Sequence, residues 1–192
     1  MSGTRIFPDE AAGPFPTPPR TVVDRADREV RLVAVSEDGG DDEDALSTDR
    51  ALEALTEMYV DFDPSDRAQG LPPAGERRIR DWLENVLGAD TVNVVAMVDD
   101  EAAGHATLVP DSDAYELAIF VHQDYQDAGV GTALLRTLLG HAASEGIERV
   151  WLTVERWNAP AISLYEKVGF ETSNAENFER EMAVRLQTDS TG

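Results

Sequence analysis

Two glycines stand where a predicted strand gives way to a predicted helix, in the segment Gln126-Asp127-Ala128-Gly129-Val130-Gly131-Thr132. Glycines at the opening of a helix let a ligand approach the backbone closely, and the N–H groups of the first turn point at that ligand. The helix dipole adds a positive partial charge at the same place. The segment therefore predicts a binding site for a diphosphate that needs no basic side chain.

Two other interpretations of the glycines stay open at this point. The pair also suits a tight turn that only requires small residues. It also begins a dinucleotide-binding fingerprint, with Glu148 about 20 residues further on. Leu134 stands where that fingerprint needs its third glycine, and only about 60 residues follow, too few for the rest of a doubly wound sheet.

The elements that position this loop follow from the apolar periodicity. It predicts strands at 29–36, 91–98, 102–109, 115–121, 149–154, 170–173 and 179–186, and helices at about 48–60, 75–88, 130–145 and 158–168. This order predicts an α/β fold with a mixed sheet and helices on its faces. Five of the ten prolines lie between Pro8 and Pro19. We therefore expect residues 1–28 to form an extended arm or a disordered tail before a domain at 29–188.

Composition excludes several classes of site. The chain has no cysteine, which excludes disulfides and thiolate nucleophiles, and its three histidines match no metal-ligand spacing, so we expect no metal site. The net charge of −22 argues against partners such as nucleic acid or anionic membrane. No signal peptide is apparent, and the longest apolar runs have about five residues, where a membrane span needs about 20. These features predict a cytoplasmic protein.

The charge composition indicates the salt concentration in which the protein works. Arginine supplies 15 of the 16 basic residues, and Lys167 is the lone lysine. An acidic, lysine-poor surface suits molar salt, where screening acts within a few ångströms. We take a halophilic cytoplasm as a hypothesis.

The loop and a second segment together resemble a known family. Gln126-x-x-Gly129-x-Gly131 after Ile119-Phe120-Val121 resembles the coenzyme A signature of GNAT-type N-acetyltransferases. Downstream, Asn158-Ala-Pro-Ala-Ile-Ser-Leu-Tyr-Glu-Lys-Val-Gly-Phe170 is similar to the second motif of that family. The motif region covers about 115–170, and the Pro-rich arm lies outside the resemblance.

The resemblance implies the GNAT fold, with a central mixed, mostly antiparallel sheet whose fourth and fifth predicted strands splay apart in a V. It implies acetyl-CoA as the cofactor, with its pantetheine in the V, forming strand-like hydrogen bonds with Phe120 and Val121, and its diphosphate on the glycine loop. The implied contacts are Ile119, Phe120, Val121, Gln126, Asp127, Ala128, Gly129, Val130, Gly131, Thr132 and Asn158. Asp127 and Ala128 stand where the family often has Arg and Gly, and an acidic Asp127 beside a diphosphate is unfavourable unless its charge points to solvent.

Acyl transfer to an amine needs a base for the amine, a donor to the thioester oxygen and a proton for the leaving thiolate. With the resemblance, Glu116 is the candidate base and Tyr165 the candidate acid, while Val121 supplies the backbone N–H. Thr153 and Glu155 lie on the fifth predicted strand across the V, and Glu155 is the reserve base. The alternatives are an exposed strand carboxylate for Glu116 and a core tyrosine for Tyr165.

The sequence therefore predicts direct acetyl transfer from acetyl-CoA to a primary amine: a protein lysine, a protein N-terminus or a small molecule. The loop at 62–73, with Arg67 and Gln69, is the candidate acceptor region. A non-catalytic acyl-CoA-binding sensor on the same fold is the alternative. A homodimer is left open.

Overall fold

A computed structural model describes residues 4–38, 44–68, 70–175 and 178–188. Within these residues the chain forms nine strands and four α-helices. In chain order they are β1 Arg20–Val23, β2 Glu29–Ser36, β3 Ala45–Ser47, α1 Thr48–Val60, α2 Glu76–Val86, β4 Val92–Val98, β5 Glu101–Asp111, β6 Ala114–Val121, α3 Val130–Ser144, β7 Arg149–Glu155, α4 Ala159–Val168, β8 Glu171–Ala175 and β9 Glu179–Arg185. Every predicted strand and helix is present, and each of its ends lies within two residues of the predicted end. β1 and β3 were not predicted, because runs of four and three residues are too short to establish alternation.

The strands form one mixed sheet in the order β1-β2-β4-β5-β6-β7-β9-β8, with β3 beside β2. Neighbouring strands are antiparallel except for β2 with β3 and β6 with β7, which run parallel. The mostly antiparallel α/β architecture is therefore confirmed.

Two apolar cores flank the sheet because alternate strand residues point to opposite faces. Val94 and Ala96 of β4 belong to the core that contains α3 and α4. Val95 and Met97 of the same strand belong to the core beneath α1 and α2. The helices thus cover both faces, as the sequence predicts.

Strands β6 and β7 part soon after they meet. Their parallel pairing is limited to Tyr115 with Val150 and Glu116 with Trp151. β6 continues to Val121 and β7 to Glu155, each beyond the last registered pair. The expected V between these two strands is confirmed.

The described residues before β2 lie along this domain. Ala12 forms a parallel bridge with Leu186, donating its N–H to the carbonyl of Arg185 at 2.8 Å. The backbone of Pro16 passes so close to α3 that a Cβ at Gly140 would collide with the Pro16 carbonyl group. β1 then adds an edge strand to β2. The boundary expected at residue 28 stays a prediction.

None of the helices in the described part of the chain combines the length and the apolar character that crossing a membrane requires.

Candidate active site

The opening between β6 and β7 is a cleft of about 510 Å³. One set of lining residues comes from the face covered by α3 and α4, and another from the face covered by α1 and the loop after it. The lining residues are Phe62, Asp66, Ala68, Ile119, Phe120, Val121, Tyr125, Gln126, Asp127, Gly131, Thr153, Val154, Glu155, Asn158, Pro160, Ala161, Leu164 and Tyr165. Residues from both faces of the sheet therefore border the cleft.

The free edge of β6 presents its backbone to this cleft. The N–H of His122 donates to the carbonyl of Ala103 on β5 at 2.9 Å, and antiparallel pairing alternates residue by residue. The backbone groups of Ile119 and Val121 therefore point towards β7, while those of Phe120 point towards β5. Ile119 and Val121 thus offer strand-type hydrogen bonds to a ligand in the V.

Phe120 contributes its ring instead. The ring packs edge-on against Tyr59, Phe62 and Trp82, with centroid distances of 5.7, 6.1 and 5.9 Å. This aromatic cluster, defined by those four residues, contributes Phe62 and Phe120 to the wall of the cleft on the side of α1 and α2. The resemblance implies strand-like hydrogen bonds from the backbone of Phe120, and the structure corrects this: pairing with β5 engages that backbone, so Phe120 reaches the cleft with its ring.

The glycine loop ends at the mouth of the cleft. Gly129, the N-cap residue of α3, has a φ of 90° and provides no side-chain hydrogen bond to the helix. The first-turn N–H groups of a 15-residue helix are therefore left without a side-chain cap. A Cβ added at Gly131 would meet only Val121 Cγ2 at 3.6 Å and Leu164 Cδ2 at 3.9 Å, so this position is open towards the cleft. These observations fit a diphosphate.

The two unusual loop residues differ in their surroundings. Asp127 is exposed and adopts a left-handed φ of 57°, so its carboxylate is in contact with solvent. Ala128 is buried, and its carbonyl accepts from the N–H of Arg25 at 3.0 Å. Gln126 donates from Nε2 to the carbonyl of Val121 at 3.0 Å and to Asp66 Oδ2 at 2.9 Å. Gln126 thus ties the loop to β6 and to the loop after α1.

The turn between β1 and β2 supplies residues that brace this loop and that were not predicted from the sequence. Arg28 donates from Nη1 to the carbonyl of Asp124 at 2.9 Å, and its guanidinium lies 4.5 Å from the ring centre of Tyr125. The buried Asp24 fixes Arg28 through an Nε–Oδ2 contact of 2.8 Å. The spacing of Asp24 and Arg28 was the available signal, but it lies in a segment that shows no helix and falls outside the motif region.

Helix α4 contributes Asn158 and Tyr165. Asn158 is the N-cap residue, and its Oδ1 accepts from the N–H of Ala161 at 3.3 Å while the residue also lines the cleft. The ring of Tyr165 packs 5.6 Å from that of Phe170. Burial raises the pKa of Tyr165 to about 12, so its phenol is neutral and holds a proton at neutral pH.

The candidate bases occupy different places. Glu116 lies opposite Trp151 in the last registered pair, is exposed, and is not among the residues that line the cleft. Partial burial raises its pKa, the negative charge of Asp111 adds to the shift, and Arg5 opposes it. Thr153 and Glu155 do line the cleft. Alternation correctly gives the face of Glu116, but it cannot give its distance from the cleft.

The loop after α1 supplies Phe62, Asp66 and Ala68 to the cleft. Arg67 is not among the lining residues, and its Nε is buried with no hydrogen-bond partner among the described residues. Gln69 lies outside the described residues. Among the described residues, the loop therefore contacts the cleft through Phe62, Asp66 and Ala68 and not through Arg67.

One cluster of potential metal ligands lies beside this loop. Asp61, His122 and Asp124 each offer a ligand atom within 4.8 Å of the others. Both ring nitrogens of His122 already have partners, Nε2 with Asp61 Oδ2 at 2.9 Å and Nδ1 with the N–H of Asp124 at 3.1 Å. These hydrogen bonds account for the cluster without an ion.

Comparison with known proteins identifies the family. Residues 52–170, more than half of the chain, match the model of the acetyltransferase (GNAT) family. A [ribosomal protein bS18]-alanine N-acetyltransferase from Salmonella typhimurium is 37% identical over 94 residues, which cover 46% of this chain and 64% of that enzyme. The match thus spans less than two thirds of that relative.

Solved structures agree on the fold. The GNAT domain of S. lividans PAT superposes with a TM-score of 0.70 at 19% identity, over 87% of this chain and 96% of that one. The ribosomal-protein-S18-alanine N-acetyltransferase from Escherichia coli superposes with a TM-score of 0.57 at 26% identity, over 73% and 91%. With the splayed strands, the uncapped glycine loop and the family match together, the chain belongs to the acetyltransferase (GNAT) family.

Proposed function

We propose that this protein transfers an acetyl group from acetyl-CoA directly to the primary amine of an acceptor. The observation that carries the proposal is the junction of two features, the free edge of β6 beyond Glu116 and the uncapped start of α3 at Gly129. Acetyl-CoA carries a pantetheine arm, which forms strand-like hydrogen bonds, and a diphosphate. Binding both parts of this ligand needs both features in one cleft. The family and its named N-acetyltransferase relatives support the same reaction.

The cofactor contacts follow from these surfaces. The backbone groups of Ile119 and Val121 hold the pantetheine arm, and the loop from Gln126 through Asp127, Ala128, Gly129, Val130 and Gly131 to Thr132 holds the diphosphate. Phe120 contributes its ring to the wall of the cleft. Asn158 lies at the start of α4, beside the cleft, where its side chain both caps the helix and borders the ligand. When bound, acetyl-CoA supplies the activated acyl group as a thioester.

Tyr165 is the proposed proton donor to the departing thiolate sulfur. It lines the cleft from α4 and is protonated at neutral pH because burial raises its pKa to about 12. The raised pKa also makes it a weaker acid than a free phenol, at about 1.4 kcal/mol for each pKa unit. The N–H of Val121 points into the V and is the proposed donor to the thioester oxygen.

The amine proton needs a base, and two carboxylates are placed to act. Glu116 is the proposed base, acting through a water because it lies outside the lining of the cleft. Its raised pKa makes it a stronger base than an ordinary glutamate. Glu155 lines the cleft and is the alternative for direct proton transfer. The two assignments predict different variants to be inactive.

The acceptor enters from the face of α1 in this proposal, since α3 and the glycine loop occupy the other face. Asp66 and Glu155 line the cleft and favour a cationic amine over a neutral or anionic acceptor. The named relatives are alanine N-acetyltransferases of a ribosomal protein, so we screen protein amines first, as N-termini and then as lysine side chains, and small amines after them.

The remaining proposals concern the cellular environment, the partners and the domain organisation of the enzyme. Among the described carboxylates only Asp24 is buried, so the excess negative charge lies at the surface, as in a protein adapted to molar salt in a cytoplasm. That surface disfavours nucleic acid as a partner. We also propose residues 1–28 as an arm on a catalytic domain at 29–188, with a homodimer as an alternative to a monomer.

Release of free coenzyme A thiol tests the function. The purified protein is incubated with acetyl-CoA in molar KCl, with and without a panel of peptides and amines that carry one primary amine. Amine-dependent thiol release, with one acetyl group added to the acceptor by mass spectrometry, is the expected result. Binding of acetyl-CoA with no transfer to any amine would favour the acyl-CoA-binding sensor instead.

A further inference from the structure

The side chain of Arg5 packs against the sheet, where it contacts one aromatic ring and two carboxylates. Its guanidinium carbon is 3.6 Å from the ring centre of Trp151. Its Nε donates to Glu181 Oε1 at 3.1 Å, and its Nη1 donates to Asp111 Oδ2 at 3.5 Å. We call the site formed by Trp151, Glu181 and Asp111 the guanidinium seat. An aromatic face with carboxylates at its edge binds a planar, delocalised cation on both its face and its N–H groups.

The seat adjoins the acceptor side of the cleft. Trp151 and Thr153 are two residues apart on β7, so they share a face and lie about 7 Å apart along the strand. Thr153 lines the cleft and is in direct register with Glu181 of the seat. Trp151 is itself in register with Glu116, on the face away from α3. A cation bound in the guanidinium seat therefore lies next to the α1 face of the cleft, from which the acceptor is proposed to enter.

Side chains, rather than strand pairing, hold Arg5 in place. Backbone pairing of the N-terminal segment with the sheet begins at Ala12, seven residues later. Between them, Arg185 Nη1 donates to the carbonyl of Asp9 at 3.3 Å, and the Phe7 ring lies 5.5 Å from the Arg149 guanidinium. With 23% of the Arg5 side chain exposed, the seat reaches the protein surface.

We propose that the guanidinium seat is an acceptor subsite that binds an arginine side chain of a peptide substrate, two or three residues from the amine that is acetylated. An extended peptide advances about 3.3 Å per residue, so this spacing covers the distance of about 7 Å from Thr153 to Trp151. Arg5 fills the subsite in cis and competes with the substrate. Lysine is the poorer ligand because its ammonium has no flat face to stack on the indole. The inference rests on the proposed function and adds a substrate class to it.

Direct binding is measured without catalysis. In Arg5→Ala, with tryptophan indoles labelled with ¹⁵N, arginine amide is titrated while the indole resonance of Trp151 is followed and assigned with Trp151→Phe. The expected result is a saturable shift that is several-fold smaller with lysine amide and several-fold smaller in the wild-type protein. An indole resonance that does not move, or that moves equally with both amides, overturns the proposal. Arg5→Gln serves as the second variant if Arg5→Ala unfolds.

Transfer is then compared on two peptides that begin Ser-Gly-Arg and Ser-Gly-Gln and are otherwise identical. In Arg5→Ala we expect kcat/KM to be several-fold higher for the arginine peptide, with the preference reduced in the wild type and lost in Arg5→Ala/Trp151→Leu. Equal kcat/KM values for the two peptides in Arg5→Ala contradict the subsite. If neither peptide is acetylated, the proposed function fails on these acceptors, and the NMR titration alone decides the seat.

Discussion

The guanidinium of Arg28 donates to the carbonyl oxygen of Asp124 at 2.9 Å and joins the turn after β1 to the segment that leads into the glycine loop. The same guanidinium lies over Tyr125, a residue that lines the cleft, and is fixed by the buried carboxylate of Asp24. The position of the proposed diphosphate site therefore depends on Asp24 and Arg28, which lie between β1 and β2.

Arg28→Ala removes this brace, and we expect the Kd for acetyl-CoA to rise about tenfold, equivalent to about 1.4 kcal/mol, with kcat changed much less. The buried Asp24 carboxylate also loses its cationic partner and keeps only backbone N–H donors, so stability falls as well. Calorimetric titration and denaturant unfolding measure the two effects. Arg80→Ala is the matched control, because its pair with Glu76 is exposed on α2. Equal Kd values for Arg28→Ala and the wild type would show that the brace does not act on the cofactor.

Tyr165→Phe keeps the ring that packs against Phe170 and removes only the hydroxyl. We expect kcat to fall about 100-fold, the usual scale for loss of a positioned general acid, with the Kd for acetyl-CoA within about twofold of the wild type. Tyr115→Phe on β6 is the control, since that tyrosine does not line the cleft. Steady-state kinetics with calorimetry measure both values. An unchanged kcat would remove Tyr165 from the role of proton donor.

The two candidate bases are separated by their pH profiles. A carboxylate base works when deprotonated, so activity falls as pH drops through its pKa, and the raised pKa of Glu116 moves this loss to higher pH than for an ordinary glutamate. We expect Glu116→Gln to lower kcat at least tenfold and to remove this acid limb, while Glu155→Gln keeps the limb. The opposite pattern would transfer the role to Glu155.

A buried network beneath the aromatic cluster predicts an acid-sensitive contribution to stability. Tyr59 donates its O–H to His105 Nδ1 at 2.7 Å, and the Nε2–H of neutral His105 donates to Asn93 Oδ1 at 2.8 Å. This tautomer follows because the Asn93 amide nitrogen donates to the carbonyl of Val86 at 2.9 Å, which leaves its oxygen to accept. Burial lowers the pKa of His105 to about 3, so the imidazole is neutral in the folded protein.

Below the unfolded pKa of about 6.5, the unfolded chain takes up a proton at this position and the folded protein does not, so stability falls as pH drops from 6.5 towards 3. For His105 the loss at pH 5 is about 2 kcal/mol. We expect urea unfolding of His105→Gln to lose correspondingly less stability than the wild type between pH 7 and pH 5. Both proteins retain His141, so its titration cancels. Equal losses would mean that His105 titrates normally.

Sequence reasoning predicted the loop and both motif helices because short-range signals specify them. Gly129 and Gly131 mark the opening of α3, and Asn158 marks the start of α4. The V between β6 and β7 came from the family resemblance, since alternation predicts each strand but not where a neighbour departs.

Contacts between segments far apart in the chain could not be predicted in this way. Arg28 and Asp124 are 96 residues apart, and Arg5 and Glu181 are 176 residues apart. No periodicity relates such pairs, and β1 lay in a segment whose prolines indicated an arm. The distance of Glu116 from the cleft depends likewise on how far β7 diverges, which is a property of the packed sheet.

Calorimetric titration of acetyl-CoA in molar KCl decides whether the V and the glycine loop form one acetyl-CoA site, with NAD as the control ligand and Gly131→Val as the control variant. A side chain at Gly131 makes ordinary contacts with Val121 and Leu164, so the variant should fold while its side chain fills the diphosphate space. We expect one-to-one binding of acetyl-CoA, no binding of NAD, and an affinity for acetyl-CoA at least 100-fold weaker in the variant, equivalent to about 2.7 kcal/mol. A folded wild-type protein that does not bind acetyl-CoA, or a variant that binds it equally well, would show that the glycine loop is not a cofactor site.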